Sequence, residues 1–435
     1  MTLRTSKKLL SKMPKKTLGL FLAFLVACGG TSKETEKGTR ETAADVRVSV
    51  EETYSSSAET ELPAPDSTVS EVSFFAIGDV LFHVPLFAAC RDDSSLCRFE
   101  HVFSHWKRDI ESADIAVVNQ ETVFVPRSEG YSSYPSFGSP EELGLAEIDA
   151  GFDIVTHATN HTMDRGERAV DYTLDFWKAK PAKALGIHPT SEDRDSVFTL
   201  ERNGIRFAFV NFTYGLNGQK LPERRSYLVD LLDSNGNWIS LVRRAEAVAE
   251  VTVAFMHFGT EYTELPTEEA MRTAEKAIDA GADILVCAHP HVIEPFGIYT
   301  TAAGNRALVY WSLGNFISNQ QQLETNLGGV AKFTVRKTQR EGDIRIEVAS
   351  AVLEASVTQQ EAGNYRAIPL ETYTEELAEK HLLRKKIPEF TLANLQRAFQ
   401  KTLGGAELCR TLPPAEALPL SITNISKSGK EESNF

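Results

Sequence analysis

The segment Ala282–Glu294, ADILVCAHPHVIE, constrains the chain most. Ile284, Leu285, Val286 and Cys287 form a short unbroken apolar run, the pattern of a strand buried on both faces of a largely parallel sheet. His289 and His291 follow at its carboxyl end, separated by Pro290. Proline biases the residue before it toward extended backbone, and in extended chain side chains two apart point the same way, so both imidazoles are expected to face one point. The pair reads either as two metal ligands or as turn histidines hydrogen-bonded to backbone. The remaining strand ends have to discriminate.

With 435 residues and 42% hydrophobic content, the chain carries enough apolar material for a large core. Its first segment stands outside that core. Arg4, Lys7, Lys8, Lys12, Lys15 and Lys16 precede an apolar run from Leu18 to Ala27, too short to span a bilayer comfortably, which closes on Leu25-Val26-Ala27-Cys28. Residues 1–27 resemble a bacterial lipoprotein signal, with cleavage before Cys28 and lipid on its thiol; an ordinary signal peptide or an uncleaved anchor are the alternatives. Removing that segment takes six of the 46 basic residues and none of the 60 acidic ones, leaving a net charge of about −20. Such a charge argues against a nucleic-acid partner.

Residues 28–70, rich in Thr, Glu, Ser and Lys, read as a solvated tether. No later stretch is long and apolar enough for another span, so the expected form is an exported soluble domain held at the membrane by lipid. Cys90 and Cys97 lie in one polar loop, either as a local disulfide or as separate thiols. Cys287 reads as a small core residue, and Cys409 has no assigned role.

Apolar runs recur, each ending in polar side chains. Glu71–Ile77 leads to Gly78-Asp79 and on to His83; Asp114–Val118 to Asn119-Gln120-Glu121; Phe152–Thr156 to His157-Ala158-Thr159-Asn160-His161. Val251–Met256 leads to His257-Phe258-Gly259-Thr260-Glu261-Tyr262, and Arg306–Ser312 to Leu313-Gly314-Asn315-Phe316. Helices are expected near Val102–Ile110, from a capping box at Ser139-Pro140-Glu141-Glu142 to Gly151, over Ala169–Lys178 and over Thr267–Ala280. Alternating strands and helices predict an α/β layered domain over residues 71–350, with 351–435 a partly helical extension ending in a polar tail. Asp79 alone reads equally as a ligand or as a turn cap. Five strand ends bearing carboxylate, amide and imidazole together point to a metal site with hydrolytic potential. Oxygen and nitrogen donors without thiolate suit Mn, Zn or Fe.

In order, Gly78-Asp79, Asn119-x-Glu121, Asn160-His161-x-x-Asp164-x-Gly166, His257-x-Gly259-x-Glu261-Tyr262, His289-Pro290-His291-Val292 and Ser312-Leu313-Gly314-Asn315-Phe316 resemble the signature of the CapA/PgsA family of bacterial capsule-synthesis proteins. The resemblance implies a calcineurin-like metallophosphoesterase-type β-sandwich flanked by helices, an association with poly-γ-glutamate or polysaccharide capsules and their synthesis machinery, and a place in the cell envelope. It further implies two divalent metal ions, one served by Asp79 and His291, the other by Asn160, His257 and His289, with Glu121 bridging. His161 would protonate a leaving oxygen and Asp164 would orient it, while the metals would polarise a phosphoryl or carbonyl oxygen. His83 departs from the family's Asp-x-His spacing, since three residues separate it from Asp79, and its place among the ligands stays open. Thr159, where relatives often have Asn, is expected to point elsewhere; Glu261 and Tyr262 serve either substrate or loop. A metal-dependent hydrolase of surface-polymer biogenesis, a membrane-tethered scaffold without catalysis, and a phosphoesterase acting on nucleotides or lipids all remain compatible with these residues.

Overall fold

The computed structural model describes residues 67–87, 97–233, 235–404 and 418–419. The leader-like segment, Cys28, Cys90 and Cys409 lie outside those residues. β1 starts at Ser67, so the last four residues of what reads as tether, 67–70, are strand.

The chain builds half of one sheet, crosses to a second, and returns to complete the first. β1 (Ser67–Val80), β2 (Ile115–Gln120), β3 (Ile154–Thr156) and β4 (Lys183–Leu185) pair in parallel in sequence order. Next come β5 (Phe198–Arg202), β6 (Ile205–Thr213), β7 (Val251–His257), β8 (Ile284–Ala288), β9 (Ile293–Thr300) and β10 (Arg306–Leu313), a second sheet ordered β5-β6-β7-β8-β10-β9. Its middle strands β6, β7, β8 and β10 run parallel, and its edges β5 and β9 run antiparallel. β11 (Asn315–Ile317), β12 (Leu327–Arg340), β13 (Asp343–Glu361) and β14 (Asn364–Pro369) then rejoin the first sheet, giving the order β14-β13-β12-β1-β2-β3-β4 with β11 beside β1.

The two sheets face each other across one apolar layer. Alternation along β1 sends Phe74 and Ala76 inward to meet Phe207, Phe209, Val253 and Phe255, while Phe75 and Ile77 point outward to Trp106 and Phe152. Phe74 stacks on Phe333 at 4.5 Å and meets the Phe207 ring edge-on at 5.1 Å. Helices cover both outer faces. Helix Glu268–Asp279 is N-capped by the Thr267 hydroxyl, which accepts the Ala270 N–H, and it lays Ala270, Ala274, Ala277 and Ile278 on the second sheet. The outcome is the α/β sandwich flanked by helices expected from the sequence.

Local details differ. The Ser139 capping box does not form: the Ser139 hydroxyl pairs with that of Thr122 at 2.6 Å, and helix Glu142–Ala150 starts without a side-chain cap. Gly151 does close that helix, at a φ of +103°. The boundary expected at residue 350 falls inside β13, which pairs with β12 along its length through a turn at Glu341-Gly342 with both φ values positive. Beyond it, Phe390, Leu395 and Phe399 join the same core as Phe74, so the C-terminal helices belong to the sandwich. Among the described residues no helix is long and apolar enough to cross a membrane.

The open side between β4 and β6 is tied by a charge cluster. His188 Nε2 lies 2.7 Å from Asp230 Oδ2, its Nδ1 lies 3.0 Å from Asp193 Oδ2, and Arg194 Nε donates to Asp230 Oδ1 at 3.1 Å. Burial alone would lower the His188 pKa, but Asp230 and Asp193 outweigh it and raise it to about 9. A raised folded-state pKa means stability fully present below the unfolded value and lost as pH climbs through about 9. Wild-type stability to urea should therefore fall, relative to His188→Gln, by about 3 kcal/mol across that window. Parallel pH profiles would remove the cluster from the account. Phe390→Ala, at a site with 0% exposure, should cost about 3–5 kcal/mol. An unchanged melting temperature would detach the C-terminal helices from the fold.

Candidate metal centre

Parallel strands in both sheets point their carboxyl ends to one side, and there the chemistry collects. Asp79 is the penultimate residue of β1, Glu121 follows β2, Asn160 and His161 lie beyond β3, His257 ends β7, and His289 and His291 follow β8. Close backbone approach makes this possible. A Cβ on Gly78 would lie 2.1 Å from the Gly314 carbonyl, which accepts the Asp79 N–H at 2.8 Å. Only glycine allows β1 and the Leu313-Gly314-Asn315 turn to meet.

His289 and His291 do converge, though not through extended backbone. Their φ values are +106° and +62°, so each imidazole is aimed by a left-handed residue, with ring centroids 5.9 Å apart. Proline restrains ψ of the preceding residue more than its φ, and tertiary contacts set the rest. The Asp79 carboxylate accepts from the His289 N–H at 3.4 Å and lies 3.0 Å from His291 Nδ1.

Asp79, Glu121 and His291 offer ligand atoms within 4.8 Å of one another, all buried. His257 stands across from them, its Nδ1 3.8 Å from Asp79 Oδ1, its Nε2 3.6 Å from Glu121 Oε1 and 2.9 Å from Asn160 Oδ1. The His289 ring lies 5.0 Å from that of His257. Glu121 is therefore central, flanked on one side by Asp79 and His291 and on the other by His257, Asn160 and His289. Neither Glu121 oxygen has a hydrogen-bond partner, nor does His289 Nδ1. Burial, and then Asp79, Glu261 and Asp164, push the Glu121 carboxyl well above its ordinary pKa. Burial and neighbouring imidazoles hold His257 well below its ordinary value and bring His289 to about 3, so both are neutral donors at physiological pH. Orphaned buried carboxylate oxygens beside neutral imidazoles are a donor set that fits divalent cations.

His161 faces the same point. Its Nδ1 lies 2.7 Å from Asp164 Oδ2, which also accepts the Phe137 N–H at 2.8 Å, and its Nε2 lies 4.0 Å from Glu121 Oε1. His83 stands outside the group of three: its Nδ1 faces the Leu81 carbonyl at 2.9 Å, its ring meets Phe137 edge-on at 5.1 Å, and burial lowers its pKa to about 4. Glu261 is exposed beside the mouth, and Tyr262 flanks His291 at 6.0 Å. Thr159 turns its hydroxyl to backbone groups. Its hydroxyl donates to the Glu121 carbonyl at 2.7 Å and accepts the His161 N–H at 3.2 Å, which fixes both backbones.

Two supporting residues had no role assigned from the sequence. Asn119 Nδ2 donates to Asp79 Oδ1 at 2.7 Å while its Oδ1 accepts from Thr156 at 2.8 Å. Asn211, a polar residue inside the apolar β6, accepts the His157 and Ala158 N–H groups at 3.1 and 2.7 Å and pins the β3 loop to the second sheet. A lone amide within an apolar strand was the available signal. His157, unassigned from sequence, accepts the Trp177 indole N–H at 2.7 Å and serves the core.

Residues 73–320 match the model of the bacterial capsule synthesis protein family PGA_cap, a span containing every residue of this cluster. The chain is 28% identical over 201 residues to the PGA biosynthesis protein CapA of Bacillus subtilis, covering 46% of this chain and 50% of that protein. It is 25% identical over 246 residues to the capsule biosynthesis protein CapA of Bacillus anthracis, covering 54% and 58%. These alignments span about half the length of both relatives. Among solved structures, an NAD nucleotidase of Haemophilus influenzae superposes with a TM-score of 0.39 at 11% identity, covering 77% of this chain and 60% of that one. The family match takes in more than half of the sequence, and the chain belongs to the bacterial capsule synthesis protein family PGA_cap.

Proposed function

We propose that this protein is an envelope-facing component of capsule or surface-polymer biogenesis, tethered by lipid on Cys28, whose strand-end cluster holds two divalent cations and hydrolyses an ester bond, with a phosphoester favoured. The observation that carries this reading is Glu121, a fully buried carboxylate whose two oxygens both lack a hydrogen-bond partner. A buried charge left alone is among the most costly features a fold can retain, and a bound cation removes that cost. Asp79 and His291 would hold one ion, Asn160, His257 and His289 the other, and Glu121 both. Bound there, divalent ions supply Lewis-acid polarisation of the substrate oxygen and a water of lowered pKa.

The chain's own residues supply the remaining chemistry. His161 Nε2 points toward the centre while Nδ1 is held by Asp164, the arrangement of a general acid that delivers a proton to a leaving oxygen. Asp164 is itself fixed by the Phe137 N–H, and the Phe137 ring packs edge-on against His161 at 4.7 Å, so the imidazole has one orientation. The polymer is a poly-γ-glutamate or a polysaccharide, as the family description allows.

Elemental analysis of the purified protein should find about two metal ions per chain after incubation with Mn or Zn, and far less in Glu121→Ala or His289→Ala with circular dichroism unchanged. Full occupancy in both variants would sink the assignment of these ligands. In chelator, Glu121→Gln should melt no lower than wild type, since burial already penalises the ionised carboxyl that the amide replaces. Added metal should then raise the melting temperature of wild type only. Asp164→Asn should keep its metal but lose roughly 10²–10⁴ in turnover of a phosphodiester, the share general acid catalysis typically carries. Undiminished turnover would remove His161 and Asp164 from the reaction.

A further inference from the structure

Among the described residues, three of the exposed large hydrophobic side chains are tyrosines gathered at the mouth of the metal centre: Tyr134 at 78% exposure, Tyr214 at 45% and Tyr262 at 47%. Tyr214 lies over His289 with ring centroids 4.5 Å apart, and Tyr262 beside His291 at 6.0 Å. One phenol thus flanks each imidazole of the His-Pro-His turn, and Tyr134 stands within electrostatic reach of Tyr262. Tyr262 holds a φ of +63°, with its N–H bonded to the Pro290 carbonyl at 2.8 Å. A bulky residue in that conformation stores strain, here spent on keeping an aromatic ring against solvent and not in the core.

Neutral amides hydrogen-bond both phenols, and the Glu261 carboxylate stands beside Tyr262. Gln320 Nε2 donates to the Tyr262 hydroxyl at 3.4 Å, and the Tyr214 hydroxyl donates to Asn217 Oδ1 at 3.4 Å. Asn217 also receives the Asn160 Nδ2–H at 3.2 Å, which links the rim to the ligand set. The charges bearing most strongly on both rings are carboxylates, Glu261 first and Glu121 after it. Asp79, Glu121, Asp164 and Glu261 carry four negative charges when ionised, which two divalent ions would only balance. A polyanion meets no net positive field at such a mouth. Aromatic faces beside carboxamides instead complement a sugar ring, whose C–H face lies on the π surface while its hydroxyls exchange hydrogen bonds with amide and phenol.

The geometry points to a saccharide platform: the unit presented to this centre is a glycan, seated with a ring face on Tyr262 and Tyr214 and its hydroxyls on Gln320 and Asn217. The inference rests on the reading of the cluster as a hydrolytic metal centre of surface-polymer biogenesis, and it names the class of polymer.

Saturation-transfer NMR on the metal-loaded protein tests it, with maltotetraose, cellotetraose, chitotetraose and γ-linked tetraglutamate as probes and elemental analysis alongside. Wild type should transfer saturation to the ring protons of at least one tetrasaccharide. Tyr214→Ala/Tyr262→Ala should weaken that binding at least about tenfold with metal content unchanged, and Tyr262→Phe should retain it. Three outcomes overturn the platform: no tetrasaccharide binds, binding is indifferent to both tyrosines, or tetraglutamate alone binds. Tyrosine-dependent glycan binding by a wild-type protein that takes up no metal would support the platform while removing the hydrolytic reading beneath it.

Discussion

Glu121 is a carboxylate enclosed by protein with no hydrogen bond to either oxygen, and the rest of the centre is arranged around that fact. Its backbone is secured from both directions: the N–H donates to Val80 in β1 at 3.3 Å, and the carbonyl takes the Thr159 hydroxyl at 2.7 Å. The side chain cannot swing out to water without breaking the junction between β1, β2 and the β3 loop. Enclosure also keeps His257 and His289 neutral, because the dry setting that penalises the Glu121 anion penalises an imidazolium too. One desolvated volume thus sets the protonation states of three residues at once.

Two sheets are needed to build that volume. β1 and β2 deliver Asp79 and Glu121 from the first, β7 and β8 deliver His257 and the His-Pro-His turn from the second, and the Phe74 layer between them fixes the distance. Amides bridge the gap where side chains alone would leave it loose. Asn119 joins Asp79 to Thr156 within the first sheet, and Asn211 reaches from the second to hold the loop that carries Asn160 and His161. A cluster made this way depends on the register of both sheets.

The strands that end at the centre were legible because each is buried on both faces and reads as an unbroken apolar run, as Ile284–Cys287 does. The long hairpin of β12 and β13 was missed for the opposite reason. Phe333 and Val335 face the core while Lys332, Thr334 and Arg336 alternate toward the other side, a weaker period-2 signal in a stretch full of charge. The C-terminal helices looked like an appendage since burial of Phe390 and Leu395 depends on partners hundreds of residues away. That polar side chains gather beyond the strand ends followed from residue type and position, whereas how they converge did not. Sequence gives no sign that His289 takes a φ of +106°, and the Ser139 capping box was displaced by the Thr122 hydroxyl, a partner that only the tertiary fold brings near.

The choice between turn histidines and metal ligands, open in the sequence, turns on where backbone strain is kept. Among the described residues, six other than glycine have positive φ: Asn203, Asn217, Tyr262, His289, His291 and Glu341. Asn203, Asn217 and Glu341 each precede a glycine of positive φ in a tight turn, where that conformation is expected. The other three, Tyr262, His289 and His291, lie together at the strand-end cluster. Each strained position costs on the order of 1–3 kcal/mol and persists only where the surroundings over-determine it. A turn needed merely to join β8 to β9 has no reason to place two histidines in that conformation when glycine would relieve it. The strain is kept at residues that turn two imidazoles and a phenol toward one buried carboxylate cluster.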